Sequence, residues 1–200
     1  MKLHPVARRS AAAGLLLISA AGLVGCLGPV IVGGAAAGIM VAVDRRQPDV
    51  ILGDERIDFS GSSRVGDALK DQGHVNVTSY NNMVLLSGEV PTAELKARVE
   101  KIVSEVPKVK SVVNELQISG ASSYASRSND ALITGKVKGN FITANKFQAN
   151  HVKVVTEAGV VYLMGLVTRE EADAASEIAR GTGSVRKVVR VFEYVVLNTK

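Results

Sequence analysis

The sequence predicts an α+β protein: two small αββαβ domains in tandem behind an N-terminal leader and a Gly/Ala-rich tether. The first observation is an internal repeat. Residues 75–90 (VNVTSYNNMVLLSGEV) align without gaps on residues 152–167 (VKVVTEAGVVYLMGLV). Val75, Val77, Val84, Leu86, Gly88 and Val90 thereby fall on Val152, Val154, Val161, Leu163, Gly165 and Val167. The second is a change of apolar period inside each copy, from two to about 3.6 and back, which reads as hairpin, helix, strand. The third is the absence of any such alternation before residue 54, where a charged start, an apolar run and a Gly/Ala-rich run follow one another.

In chain order, Lys2, His4, Arg8 and Arg9 form a positive start and Ala11 to Leu23 an apolar run, the two parts of a secretory leader covering residues 1–25. Leu23-Val24-Gly25-Cys26 closes it, and Cys26 is the one cysteine of the chain. Residues 27–43, LGPVIVGGAAAGIMVAV, carry no charge but hold Pro29 and four glycines. They read as a flexible or surface-lying tether within 26–53. A short spanning helix is the alternative, since 17 residues sit at its lower limit and Gly34 and Gly38 have small-xxx-small spacing. Asp44 to Ser60 mixes charges with Pro48 and Gly53 and reads as linker passing into structure.

The first domain is expected over 54–119. Its leading helix is Ser63 to Asp71, short and broken by glycines at 61, 66 and 73. A hairpin of Val75–Tyr80 and Val84–Val90 turns at Asn81-Asn82. A helix within Thr92 to Val106 presents Leu95, Val99, Ile102, Val103 and Val106 and stops at Pro107, and Ser111 to Ile118 closes the domain. Residues 120–127 read as a linker. The second domain, 128–200, repeats the order: a helix from Asn129 to Ile142, a hairpin turning at Glu157-Ala158-Gly159, a helix Arg169 to Arg180 ended by Gly181, and a strand Lys187 to Leu197.

This order, with a glycine in the second strand and Pro-x-Val (residues 107–109) entering the last strand of the first copy, resembles the BON domain. Leu-Val-Gly-Cys resembles the lipobox of bacterial lipoproteins, and the two features together resemble the dual-BON outer-membrane lipoproteins. Ser128-Asn129-Asp130, Val152-Lys153-Val154 and residues 164–168 (MGLVT) are similar to the second domain of that family. The resemblance implies cleavage before Cys26, three acyl chains on it, and sorting to the periplasmic face of the outer membrane, since Leu27 stands where an aspartate would retain the protein at the inner membrane. It also implies that the second domain binds anionic phospholipid, supporting envelope integrity and division sites.

Charge agrees with that division of labour. Removing Lys2, Arg8 and Arg9 from 24 basic residues leaves 21 against 19 acidic ones, too balanced for a nucleic-acid binder. Residues 54–118 hold 8 basic and 10 acidic side chains, whereas residues 129–200 hold 10 and 7. Lys136, Lys138, Lys146 and Lys153 cluster in the second copy. On its leading helix Ile133, Val137 and Phe141 repeat at i, i+4 and i+8, with Leu132 beside them and Phe147 in the following loop. Apolar side chains set among acyl chains with ammonium groups at phosphates would bind phosphatidylglycerol or cardiolipin, so Leu132, Ile133, Lys136, Val137, Lys138, Phe141 and Phe147 are the candidate lipid site. The competing reading makes the stripe the core face of the helix and the lysines its solvated face.

No residue set converges on an enzyme. His74 and His151 occupy equivalent places ahead of each hairpin, which points to repeat ancestry, and no Cys/His cluster offers a metal site. Gly181-Thr182-Gly183-Ser184 follows a helix, the reverse of a phosphate loop. No cofactor is expected. A protein-interaction adaptor for outer-membrane assembly machinery, touching lipid only through Cys26, is the alternative to lipid recognition.

Overall fold

The computed structural model describes residues 44–70 and 72–196; the leader, Cys26 and the tether to Val43 lie outside the described residues. The first domain comprises α1 (Pro48–Leu69), β1 (His74–Tyr80), β2 (Met83–Val90), α2 (Ala93–Ser104), β3 (Ser111–Asn114) and β4 (Gln117–Ile118). The second comprises α3 (Tyr124–Ala144), a 3₁₀ turn (Ala149–His151), β5 (Val152–Glu157), β6 (Val160–Val167), α4 (Arg169–Arg180) and β7 (Lys187–Tyr194). In each, an antiparallel hairpin is joined by a parallel last strand, so the hairpin's second strand is central.

Local chemistry accounts for the turns and caps. Asn81 and Asn82 take φ of 55° and 65°, and Ala158 and Gly159 take 48° and 75°, the left-handed pair that a two-residue hairpin demands. Thr92 caps α2 and Thr168 caps α4, the latter in a reciprocal box with Glu171. Gly88 pairs with Val75 and Gly165 with Val152. A Cβ would stand 2.1 Å from the His74 carbonyl oxygen in the first case and 2.5 Å from that of His151 in the second, so only glycine lets the preceding chain pass.

Four expectations are corrected. α1 begins at Pro48, which presets φ for a first helical residue, so the segment read as linker is helix. Nor do Gly61 and Gly66 break it: a Cβ at Gly61 would stand 2.9 Å from Val77 Cγ1, so glycine lets α1 lie close on β1. α3 likewise begins at Tyr124, inside the expected linker, with Ser123 as its cap. The first domain's closing strand is split in two around the buried Leu116.

Each sheet has helices on one face. Ile57, Val65, Val77, Val84, Leu86, Val99 and Val103 fill the first core, and Ile133, Val137, Phe141, Val154, Val161, Leu163 and Ala175 the second. The remaining faces pack on each other, with Tyr80 and Leu85 against Tyr162, Met164 and Val191. The result is four layers, helix, sheet, sheet, helix, with an apolar seam at the centre.

Candidate functional site

The outward face of α3 is the candidate site. At 3.6 residues per turn, Ser128, Leu132, Gly135, Gly139 and Ile142 form a strip opposite the buried Asp130, Ile133, Val137 and Phe141. Leu132 is 64 % and Ile142 69 % exposed, high for large apolar side chains in a folded domain. Lys136 and Lys138 are exposed on the two margins of the strip and Lys146 lies just past its end. Tyr124, in the first turn, is 85 % exposed, with the Arg127 guanidinium 4.4 Å from its ring centre.

This divides the residues selected from sequence. Leu132, Lys136 and Lys138 are available to a surface. Ile133, Val137, Phe141 and Phe147 are not: the first three are at most 1 % exposed, and Phe147 closes edge-on against Phe141 at 5.1 Å between ring centres. The i, i+4, i+8 stripe is the core face of the helix, and these four are corrected from lipid contacts to packing residues. Lys153, outside the candidate site, is engaged across the seam: its ammonium donates to the Ser79 carbonyl oxygen (3.1 Å) and lies 3.4 Å from Asp58. Ile142 and Tyr124 are the residues that sequence periodicity missed, since apolar side chains on two faces of one helix leave no single stripe.

Gly135 and Gly139 add a physical cost to this face. A Cβ on either would meet nothing within 4 Å, yet glycine inside an exposed helix destabilises it by roughly 0.5–1 kcal/mol relative to alanine. Replacing both with alanine is therefore expected to raise unfolding stability by about 1–2 kcal/mol, measured by denaturant titration. What the glycines leave is a shallow backbone trough between Leu132 and Ile142.

Equivalent positions in the first domain are built differently. Asp54 and Asp130 both hold their hairpin turns, Asp54 accepting from the Asn81 and Asn82 amides and Asp130 from those of Ala158 and Gly159. With these aligned, Leu132 corresponds to Arg56, Lys136 to Ser60 and Ile142 to Gly66. The outward face of α1 shows Leu52 and Phe59, 54 % and 78 % exposed, with Asp49, Glu55 and Asp67 exposed on the same helix.

Polar groups seal the seam. Asn76 donates to Glu157 (2.8 Å), Asn81 to Glu193, and Tyr80 Oη to the His151 carbonyl oxygen (3.3 Å). Arg45 makes a paired contact with Glu171 at 2.5 and 2.9 Å and donates to the Leu166 carbonyl oxygen. Arg46 binds Asp54 at 2.8 Å and lies 4.1 Å from the Tyr80 ring centre. Burial pushes Glu171 up, but the hydrogen bonds from Arg45 and the Thr168 amide outweigh it and hold the carboxyl below its ordinary value. Among the described residues no cluster of three or more His, Cys, Asp or Glu side chains could hold a metal, and no helix is long and apolar enough to cross a membrane.

Comparison with known proteins matches the BON domain twice, over residues 58–120 and 129–195. The chain is 39 % identical over 175 residues to the outer membrane lipoprotein DolP of Haemophilus influenzae, covering 86 % of this chain and 90 % of that one. It is 34 % identical over 127 residues to a 21 kDa hemolysin of Actinobacillus pleuropneumoniae, covering 64 % and 66 %. With the osmotically-inducible protein Y of Escherichia coli it shares 28 % over 139 residues, covering 66 % and 69 %.

Proposed function

This chain belongs to the BON-domain family, as an outer-membrane lipoprotein of the DolP kind, and from that premise we propose that its second domain binds anionic phospholipid through the outward face of α3. The observation that carries the reading is the pairing of exposed Leu132 and Ile142 with Lys136 and Lys138 on one helix face. A helix so built lies in the interface plane. Its apolar ridge enters the acyl boundary while the lysines meet phosphates, each contributing about 1 kcal/mol at an anionic surface. Phosphatidylglycerol and cardiolipin present that chemistry.

Cys26, carrying acyl chains, is the permanent attachment, which leaves the helix to choose the patch of membrane that the tethered body occupies. On this reading the protein supports envelope integrity and gathers at division sites, where a Leu132→Glu variant fused to a fluorescent reporter would spread evenly.

The direct test is flotation of fragment 44–200 with vesicles. Binding to phosphatidylglycerol vesicles, lost in high salt and absent with phosphatidylcholine, is expected. Burying a leucine contributes about 1.5–3 kcal/mol, so Leu132→Glu should lower partitioning tenfold or more. Unchanged partitioning in Leu132→Glu and Ile142→Glu would remove α3 as the site.

The adaptor reading has one observation in its favour. Leu52 and Phe59 are exposed on α1, where the exposed charges are mixed, Asp49, Glu55 and Asp67 with Arg56 and Arg64, in place of the lysine-flanked ridge of α3. That face suits a protein partner, such as outer-membrane assembly machinery. Absence of salt-sensitive flotation would leave this as the protein's surface for recognition.

A further inference from the structure

Where the edge of the seam meets the first turn of α3, four polar side chains form a chain across both domains. Arg127 Nη1 lies 3.2 Å from His74 Nδ1, His74 Nε2 lies 3.3 Å from Asn76 Nδ2, and that nitrogen donates to Glu157 Oε2 at 2.8 Å, so both ring nitrogens of His74 face donors. They border a cleft of about 300 Å³ with Thr134 and Thr156. Glu157 is 5 % exposed, and so is Glu89, whose carboxylate accepts from the Ser122 amide.

Hydrogen-bond bookkeeping decides the state of this chain. A guanidinium only donates, so His74 Nδ1 must accept and the neutral ring carries its proton on Nε2. That proton requires the Asn76 amide to turn over, so that its oxygen takes the place of Nδ2 and faces the ring. The same oxygen then stands at hydrogen-bond distance from Glu157 and is satisfied by a Glu157 O–H. If Glu157 is ionised, the amide keeps its nitrogen on the carboxylate, the orientation given above. Its second hydrogen then forces His74 Nε2 to accept, the ring proton moves to Nδ1, and Nδ1–H confronts Arg127. One protonation state pairs every group; the other leaves two donors facing each other at a part-buried contact.

We propose that Arg127, His74, Asn76 and Glu157 form a proton-linked latch across the domain seam, fully paired when Glu157 carries a proton and broken when it ionises. The surroundings favour the proton. Burial is the largest influence, followed by the Glu89 charge, with Asp130 adding to it; the Asn76 hydrogen bond and Arg127 oppose them, and the carboxyl is pushed up to about 7. Tyr162, whose phenol is itself pushed up to about 12 by burial, then by Glu115 and Glu157, supplies no cation. Burial, then Arg127, holds His74 below its ordinary value, against Glu89, which keeps the ring neutral as the pairing requires.

The sign follows from linkage. Once the seam opens, Glu157 returns toward 4.5, so the latch contributes fully below pH 4.5 and is lost as pH rises to about 7. Over that window the opening equilibrium rises by up to about tenfold per pH unit and then levels. His74 imposes the opposite slope below its ordinary value, so the comparison needs a variant that alters Glu157 alone. Glu157→Gln supplies it, because an amide N–H donates to the Asn76 oxygen at every pH.

Hydrogen exchange of the full chain in neutral detergent, corrected for intrinsic rates, tests this over residues 74–80 and 152–157 from pH 5 to 8. Relative to Glu157→Gln, the unmodified protein should lose about tenfold or more of its protection between pH 5 and 7 and no more than about a further twofold above it. Carboxyl-carbon NMR of the unmodified protein should place the Glu157 titration near 7. Parallel exchange profiles in the two proteins, or a Glu157 titration near 4.5, would overturn the latch.

Discussion

Leu85→Ala is expected to destabilise both domains together, by about 2–5 kcal/mol. Leu85 is fully buried, yet it lies in neither domain's own core; it sits on the face of β2 that meets Tyr162, Met164 and Val191 of the second domain. Truncation leaves a cavity bounded by two sheets, and neither can close it without sliding over the other. Segment-resolved hydrogen exchange provides the check. Protection should fall in β6 as well as in β2, although no residue of β6 is altered. Loss confined to the first domain would mean that the two fold and open independently. The seam is the reason to expect otherwise, because a three- or four-stranded sheet with helices on one face alone leaves its second apolar face to water.

Asp54→Ala is expected to cost about 3–5 kcal/mol, and Asp130→Ala less, about 2–3 kcal/mol, in the same denaturant titration. The two aspartates hold equivalent hairpin turns, but Asp54, 2 % exposed, has further partners. It accepts from Ser79 Oγ at 2.6 Å and from the Asn81 and Asn82 amides at 2.8 Å, and it pairs with Arg46 at 2.8 Å. Its removal orphans three donors and strips a half-buried guanidinium of one of its two carboxylates, Asp44 being the other. Asp130 leaves only the amides of Ala158 and Gly159 unpaired. Equal costs for the two variants would show that the turn amides dominate and that Arg46 is held by Asp44 alone.

The repeat is the most legible feature of the chain, and it also separates the residues that build the fold from those that build the site. Strand registers, both hairpin turns and the α4 boundaries could be read because period two and left-handed turn residues are local properties. The stripe Ile133, Val137, Phe141 has a counterpart in Ile57, Gly61 and Val65, one per turn below the hairpin-holding aspartate. A pattern present in both copies builds the fold. Leu132, Lys136 and Ile142 have Arg56, Ser60 and Gly66 opposite them, and what one copy lacks is where its own chemistry lies. Aligned on their aspartates, the two leading helices separate the buried stripe from the exposed ridge. The start of α1 was hidden for another reason. Gly53, Gly61 and Gly66 lower its propensity, and Gly61 is required by Val77, which is distant in sequence. The seam could not be read at all, since alternating apolar residues on both faces of β2 and β6 do not say what covers the second face.

Arg45 and Arg46 give the attachment point a mechanical character. Arg45 grips the second domain at Glu171 and the Leu166 carbonyl, and Arg46 grips the first at Asp54 and Tyr80, one residue apart in the chain. A pull arriving through Asp44 is therefore divided between two bodies and presses on paired guanidinium contacts before it reaches any strand. A tether leaving from a lone edge strand would instead unzip its ladder one hydrogen bond at a time. Cutting one prong, as in Arg45→Ala, would lower the force at which the fold yields in a single-molecule pulling experiment even where its resting stability changes little.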